Sequence, residues 1–209
     1  DWLAMVDAHD KTLLLLEDTR KFAKVDGGIY PVTNISGTDV IRGFPYAKVT
    51  NNGDKETDDT GNYSYLGGTA SCGMDGNYVT ISDECGTIDL STSSSPGDLN
   101  FGTHTGTDCD TPGYGGAGNT FAARSCFYHI NKMKGMARYY HNDISWLDGN
   151  LTANVNIDDT CNAYWSPYYG TVNFFKSGGG CSNTGEIAAI FLHETAHGLD
   201  SNDGNGFSP

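Results

Sequence analysis

A short apolar segment that carries two histidines and a glutamate constrains this chain more than any other feature. Residues 187–192 read Ile-Ala-Ala-Ile-Phe-Leu, and the string His-Glu-Thr-Ala-His follows at 193–197. Asn183, with Glu186 three residues later, resembles a capping box and predicts that a helix begins here. A helix that is apolar on all sides is usually buried, so we expect a buried helix whose few polar side chains have a specific purpose.

The spacing of these polar residues suits a metal ion. Residues four apart lie one turn above each other on a helix, so His193 and His197 can direct ring nitrogens at one zinc ion. Glu194 would lie beside the ion, where it could take a proton from zinc-activated water. The pattern predicts hydrolysis with Glu194 as the catalytic base. The alternative is that both histidines face solvent and Glu194 is an ordinary solvated carboxylate.

Composition narrows the range of partners. The chain has 209 residues and a formal net charge of −14. Such an acidic chain repels phosphate backbones and anionic lipids, so we expect neither nucleic acid nor a membrane surface as a partner. No apolar run approaches membrane-spanning length. Loop carboxylates also suit Ca²⁺, although the acidity can equally serve solubility alone.

Cysteines and glycosylation sequons favour a secreted protein. The six cysteines contain no Cys-x-x-Cys pair and allow 15 disulfide connectivities. We favour sequential pairing, because each bridge then closes a short loop. Three Asn-x-Ser/Thr sequons support the same compartment weakly. The predicted pairs and the sequon asparagines are Cys72–Cys85, Cys109–Cys126, Cys161–Cys181, Asn34, Asn62 and Asn150.

Patterning along the chain predicts an α+β fold. Residues 2–7 and 12–17 predict a hairpin, and residues 51–120 are rich in turn-forming residues with short strands. A helical stripe covers residues 119–140, with Asn119 as its cap. Strands are predicted at 151–157, 161–165 and 171–175. A loop-rich β half therefore leads to a small sheet that flanks the helix with the two histidines.

The string Asn-Ala-Tyr-Trp at 162–165 extends the histidine motif. It lies 31 residues before His193 and is similar to the edge strand of thermolysin-like enzymes. Together with residues 193–197, it makes the sequence resemble the gluzincin zinc metallopeptidases, in the thermolysin-like or fungalysin-like sense. The resemblance implies a thermolysin-like N-terminal subdomain in which Asn162 and Ala163 contact an extended peptide or protein substrate by strand addition.

A broader resemblance suggests three regions. Residues 150–203 resemble uncharacterised secreted bacterial proteins with the His-Glu-x-x-His motif, and the opening residues are similar to the end of the propeptide of such peptidases. We therefore expect a propeptide-like remnant at 1–20, a loop-rich β region at 21–118 and an incomplete zinc-helix subdomain at 119–209.

The expected third zinc ligand departs from the family pattern. Gluzincins take it from a glutamate on a second helix, and this chain ends at Pro209, twelve residues after His197. We therefore expect a truncated member whose site is completed by a C-terminal segment or a separate chain. Asp200 or Asp203 could supply a local ligand instead, although capping, turn formation or calcium binding is the favoured use for them.

Two functions remain open at this point. The first is a secreted zinc-dependent metalloendopeptidase that hydrolyses peptide bonds with zinc-activated water. The second is a catalytically inert fragment or relative that acts as an extracellular structural, filament-forming or binding protein, including a calcium- or glycan-dependent module. The retained Glu194 favours the first, and the missing ligand favours the second.

Overall fold

The computed structural model describes residues 2–18, 21–35, 37–102, 116–117 and 119–204. These residues form a mixed α+β fold, which confirms the predicted class. The helices are α1 (Phe121–Tyr140) and α2 (Ala188–Asp200), with 3₁₀ turns at Ser145–Asp148 and Thr184–Glu186. The strands are β1 (Trp2–Val6), β2 (Leu13–Asp18), β3 (Lys21–Ile29), β4 (Val40–Gly43), β5 (Lys48–Thr50), β6 (Asp54–Glu56), β7 (Asn62–Tyr65), β8 (Ala70–Cys72), β9 (Val79–Asp83), β10 (Gly86–Thr87), β11 (Leu90–Thr92), β12 (Leu99–Asn100), β13 (Gly116–Ala117), β14 (Leu151–Ile157), β15 (Ala163–Ser166) and β16 (Thr171–Phe175).

One four-stranded sheet carries both helices, in the order β15-β16-β14-β9. β14 runs parallel to both β9 and β16, whereas β15 is antiparallel to β16. The sequence predicted β14 and β16 with their observed bounds. Among the described residues β15 pairs with β16 alone, so its other side is a free sheet edge.

Helix α1 packs on β9, β3 and β14 through a face that is buried from Phe121 to Lys134. The predicted helix is confirmed, but its cap is Thr120, whose hydroxyl accepts a hydrogen bond from the Ala123 amide at 3.2 Å. The predicted cap, Asn119, instead donates its side-chain amide to the Phe101 carbonyl.

Helix α2 is less buried than its composition predicts. Phe191 and Thr195 are fully buried, whereas Leu192 on the opposite side is 41% exposed. The expectation of a helix buried on all sides is wrong within the described chain, because α1, β15 and β16 cover only its inner face. Asn183 caps the preceding 3₁₀ turn by accepting from the Gly185 amide, and α2 itself has no side-chain cap.

A buried polar network joins the elements that meet at the start of both helices. The Asp83 carboxylate, at the end of β9, accepts hydrogen bonds from the Thr120 hydroxyl at 2.7 Å and the Asn156 amide at 2.9 Å. Asn156 accepts in turn from the Asn183 amide at 2.7 Å. Burial raises the pKa of Asp83, against the opposing effect of these hydrogen bonds. The network therefore fixes the entrances to α1 and α2 against the central sheet.

The N-terminal hairpin differs from the rest of the molecule in its exposure. Its strands β1 and β2 pair with each other as predicted, and among the described residues they pair with no further strand. Large apolar side chains project from both faces, and Trp2 is 63% exposed. A two-stranded hairpin alone is marginally stable in water. The propeptide-like origin of residues 1–20 and the region boundaries at 20 and 118 stay predictions.

Within the described residues, no helix is both long enough and apolar enough to cross a membrane.

Replacement of Asp83 by Asn should lower the free energy of unfolding by about 1–3 kcal/mol. The new amide group would place a donor against the Thr120 hydroxyl, whose oxygen already accepts from Ala123 and Asn156. The Thr120 hydroxyl would then have no acceptor for its own proton in the buried network. Urea unfolding at neutral pH measures the change. Glu84→Gln, one residue away and exposed, is the matched control and should stay within about 0.5 kcal/mol. Equal losses in the two variants would contradict a role for the network.

Candidate metal centre

The two histidines of α2 converge as the helical spacing predicts. Their Nε2 atoms lie 3.0 Å apart, and the rings stand nearly perpendicular with centroids 4.5 Å apart. Both side chains are exposed and line one cleft of about 870 Å³. The chain thus presents two imidazole nitrogens to a single point in the cleft.

The distance between these nitrogens tests whether a zinc ion fits. Two nitrogens bound at about 2.0–2.1 Å to a tetrahedral ion are separated by about 3.3 Å. The observed 3.0 Å is within a few tenths of an ångström of that value. The same separation also suits a hydrogen bond from one ring to the other. His193 and His197 therefore fit as two ligands of one ion.

Glu194 lies between the two histidines in sequence and borders the same cleft. Glu194 is only 8% exposed, and within the described chain its carboxylate makes no hydrogen bond or ion pair. Its oxygens are not among the buried polar atoms without a partner, so the carboxylate reaches the cleft. Its position leaves both oxygens available to a water molecule or a substrate in the cleft.

The two candidate local ligands differ in their access to the histidines. Asp200 lines both the cleft of the two histidines and a second cavity beside His141 and Asp143, whereas Asp203 lines the second cavity but not the cleft. No cluster of three or more His, Cys, Asp or Glu side chains suited to a metal ion occurs among the described residues. Residues 2–204, with their gaps, thus provide a two-histidine half-site, and Asp200 is the nearer of the two candidates to it.

The sheet edge predicted to hold a peptide borders this half-site. Ala163 begins β15, and Asn162 directly precedes it, with its carbonyl accepting from the Thr184 hydroxyl at 3.0 Å. Both residues line the main cleft and a smaller cavity of about 410 Å³, and His193 and Glu194 line both cavities as well. The structure therefore brings the predicted strand and the predicted metal motif together.

One predicted disulfide connects these two parts, and the other predicted pairs are wrong. Cys161–Cys181 joins the approach to β15 with the approach to α2 across a Cα–Cα distance of 5.2 Å. Cys72 and Cys126 are instead free, buried thiols. Cys85 is disulfide-bonded, but not to Cys72, and Cys109 lies outside the described residues. Sequential pairing failed because loop length does not reveal which thiols the core encloses.

The sequon asparagines all use their amide nitrogens, the atoms to which a glycan is attached. Asn34 donates to the buried Glu186 at 2.8 Å, Asn62 donates to Thr60 at 2.7 Å, and Asn150 donates to the Gly76 carbonyl at 2.6 Å. Asn34 also has a buried carbonyl oxygen, which makes it the least accessible. Glycosylation of these residues stays a prediction, as does calcium binding.

Sequence analysis missed the packing behind the two candidate ligands. Gly198, which follows His197, faces two tryptophans: an added Cβ would lie 2.8 Å from the Trp146 ring and 3.2 Å from the Trp165 ring. The two rings meet edge to face at 6.0 Å. A glycine within a helix is unfavourable by itself. The glycine beside a candidate ligand was therefore the signal in the sequence that another group packs closely against the helix.

The comparisons with known proteins do not assign the chain to a family. No model of a known protein family matches the chain, and a search of curated proteins finds no significant relative.

Cysteine labelling tests the corrected disulfide pattern. Without reductant, iodoacetamide should modify Cys72 and Cys126 only after the protein is unfolded, because the core covers both thiols and burial raises the pKa of Cys72 to about 11. Cys161 and Cys181 should react only after reduction. Peptide mapping by mass spectrometry reads the sites. Labelling of Cys161 in the unreduced, unfolded protein would rule out its bridge to Cys181.

Proposed function

We propose that this chain is the zinc-binding part of a secreted zinc-dependent metalloendopeptidase, with a thermolysin-like subdomain of the gluzincin type. The observation that carries the proposal is the convergence of the two Nε2 atoms of His193 and His197 at 3.0 Å, beside a free sheet edge. Two convergent imidazoles and an unpaired carboxylate at one cleft are the groups that a metal ion and a hydrolytic reaction would use.

Each residue of the cleft has a distinct role in this proposal. His193 and His197 hold the ion, and zinc, when bound, supplies a Lewis acid that polarises a peptide carbonyl and acidifies a water. Glu194 would take a proton from a water in the cleft and pass it to the leaving amine, as a general base and then a general acid. Its lack of other partners keeps the carboxylate free for this transfer.

The edge strand provides the means of aligning a peptide. A free strand edge can accept an extended chain through main-chain hydrogen bonds. Asn162 and Ala163 lie at the start of β15, where such a chain would run past Glu194 and the two histidines. The Cys161–Cys181 bridge ties this end of the strand to the approach of α2, and it also supports a secreted, oxidising setting.

A further segment or a separate chain would complete the site. Within the described residues there is no third ligand, and the outer side of α2 is open at Ala189, Leu192 and Ala196. These three residues follow helical spacing and form an apolar stripe next to the histidines. A C-terminal segment or a partner chain docked on this stripe could bring a carboxylate to the ion, and Asp200 is the local alternative.

The second candidate is an inert relative that serves as an extracellular structural, filament-forming or binding protein. The lack of a third ligand among the described residues favours it. The exposed hairpin of β1 and β2 also suits association with another surface. Zinc binding without any hydrolysis, even after the missing segment is supplied, would decide for this candidate.

Zinc titration of the purified chain tests the two ligands. Calorimetry should show one ion per chain, and His193→Ala or His197→Ala should each weaken binding by at least about 100-fold, because one remaining imidazole holds zinc poorly. His141→Ala removes an exposed histidine outside the cleft and should leave the affinity unchanged. Equal affinities in all three variants would refute the half-site.

Glu194→Gln separates metal binding from catalysis. The variant should bind zinc normally and lose peptide hydrolysis by about 100- to 10,000-fold, because the amide cannot accept the proton of the attacking water. Hydrolysis of a quenched fluorescent peptide measures the loss, on the chain together with whatever segment completes its activity. Undiminished hydrolysis in this variant would exclude Glu194 as the base.

Asn162→Ala tests the edge strand. We expect KM for a peptide to rise by about 10-fold with unchanged zinc affinity, since a contact to the bound chain is lost. Tyr169→Ala, in the exposed turn after β15, is the control and should not change KM. A fall in kcat alone would contradict a role in substrate alignment.

A further inference from the structure

We propose that Lys134 and Trp146 are positioning residues that set the separation between the zinc helix α2 and the edge strand β15. The functional meaning of this inference depends on the proposed function, whereas its structural part can be tested without catalysis. Neither residue lines the cleft, and neither belongs to the metal motif.

Lys134 is an unusual lysine because it is only 1% exposed in the middle of α1. Its ammonium group donates to three main-chain carbonyls, those of Tyr78, Trp146 and Gly149. Burial lowers the pKa of the amine to about 8. The amine therefore joins α1 to the approach of β9 and to both ends of the 3₁₀ turn at Ser145–Asp148.

The charged groups around Lys134 do not neutralise it. Arg138, one turn further along α1, repels the ammonium, and Asp148 attracts it. These two side chains are paired with each other at 2.7 Å, and Arg138 also stacks over the Tyr78 ring at 4.3 Å. The three carbonyls and an aromatic face are thus the main partners of the buried ammonium.

Trp146 is held by this ammonium in two ways. Its carbonyl accepts a hydrogen bond from Lys134, and its ring lies 4.8 Å from the same nitrogen, within the range of a cation–π contact. The ring cannot move far without loss of the cation–π contact, and the main chain of Trp146 cannot move far without loss of the hydrogen bond. Lys134 therefore fixes the place of Trp146 relative to the core.

Trp146 connects the buried ammonium to the residues of the cleft. Its ring packs edge to face on Trp165 of β15, and both rings close on Gly198 of α2. Gly198 directly follows His197, and Trp165 lines the cleft. The two indole rings thus form a spacer between the strand that would hold a peptide and the helix that would hold the ion.

The spacer leaves little room for movement between α2 and the two tryptophan rings. The place of a methyl group on Gly198 is within 3.2 Å of both rings, so the helix and the tryptophans are already in close contact. A shift of Trp146 must move Gly198, Trp165 or both. We therefore expect a change at Lys134 to alter zinc affinity at a distance, as the loss of residues that orient metal ligands does.

The experiment compares Lys134→Met, Trp146→Phe and the double variant in a Trp2→Phe background, which leaves only the two spacer tryptophans. Each single variant should weaken zinc binding by about 10- to 100-fold, and the double variant should weaken it no further than the stronger single variant, because both changes release the same ring. Lys132→Met is the matched control: this lysine lies on the same helix, is less buried and binds a single carbonyl, that of Asp59.

Tryptophan fluorescence gives a second measurement that needs neither zinc nor substrate. Emission in the Trp2→Phe background should change with a midpoint near pH 8, as the ammonium beside Trp146 loses its proton. Lys134→Met should abolish this transition, and Lys132→Met should retain it. The absence of a transition in the parent protein, or its persistence in Lys134→Met, would contradict the contact between this ammonium and the Trp146 ring.

The outcomes separate this inference from the proposed function. If the parent protein binds no zinc, the proposed function fails, and the emission transition still decides whether the ammonium of Lys134 acts on Trp146. If the parent binds zinc, and folded Lys134→Met and Trp146→Phe bind it as tightly as the parent does, the positioning role is overturned and the half-site stands. Should Lys134→Met fail to fold, the zinc affinity of Trp146→Phe alone decides.

Discussion

The buried hydrogen-bond network around Asp83 is the constraint on which the rest of this structure depends. It joins the end of β9 to Thr120 at the start of α1, to Asn156 in β14 and to Asn183 before α2. Buried polar groups stabilise a fold only when their partners are all present. Asn156 adopts a positive φ of 57°, which asparagine tolerates better than most residues, so its side chain can reach Asp83 and Asn183 together. This network, which lies outside the cleft, thus determines the geometry at the start of α2.

The cleft is shaped by restraints on opposite sides of α2. The approach to the helix is tied to the approach to β15 by Cys161–Cys181, and its last turn is held off the strand by the two tryptophans that enclose Gly198. Phe191 anchors the middle, where it packs edge to face on Phe174 of β16 at 5.3 Å. With both ends and the middle fixed, His193 and His197 have little freedom except in their own side-chain rotations. Such preorganisation is what a metal site requires of its scaffold.

Local pattern predicted much of the fold, and non-local packing accounts for what it missed. The alternation at 151–157 and the helical stripe at 119–140 depend on neighbouring residues alone, and a strand and a helix form there, with the helix at Phe121–Tyr140. The histidine pair was predictable because a helix fixes residues four apart. The free state of Cys72, by contrast, depends on which segments of the core enclose it. The role of Lys134 is equally invisible in sequence, since its three acceptors come from residues 12 to 56 positions away.

Under the proposed function, the exposed side of α2 and the incomplete ligand set have a common physical explanation. Two imidazoles leave a tetrahedral ion open on its outer side, and Leu192 exposes apolar surface on the same helix. A single surface docked there would bury the leucine, exclude water from Glu194 and bring a further ligand. Exclusion of water strengthens the charge interactions within the cleft. In the proposed metallopeptidase, zinc affinity would therefore rise on docking, which makes the docked surface a part of the metal site.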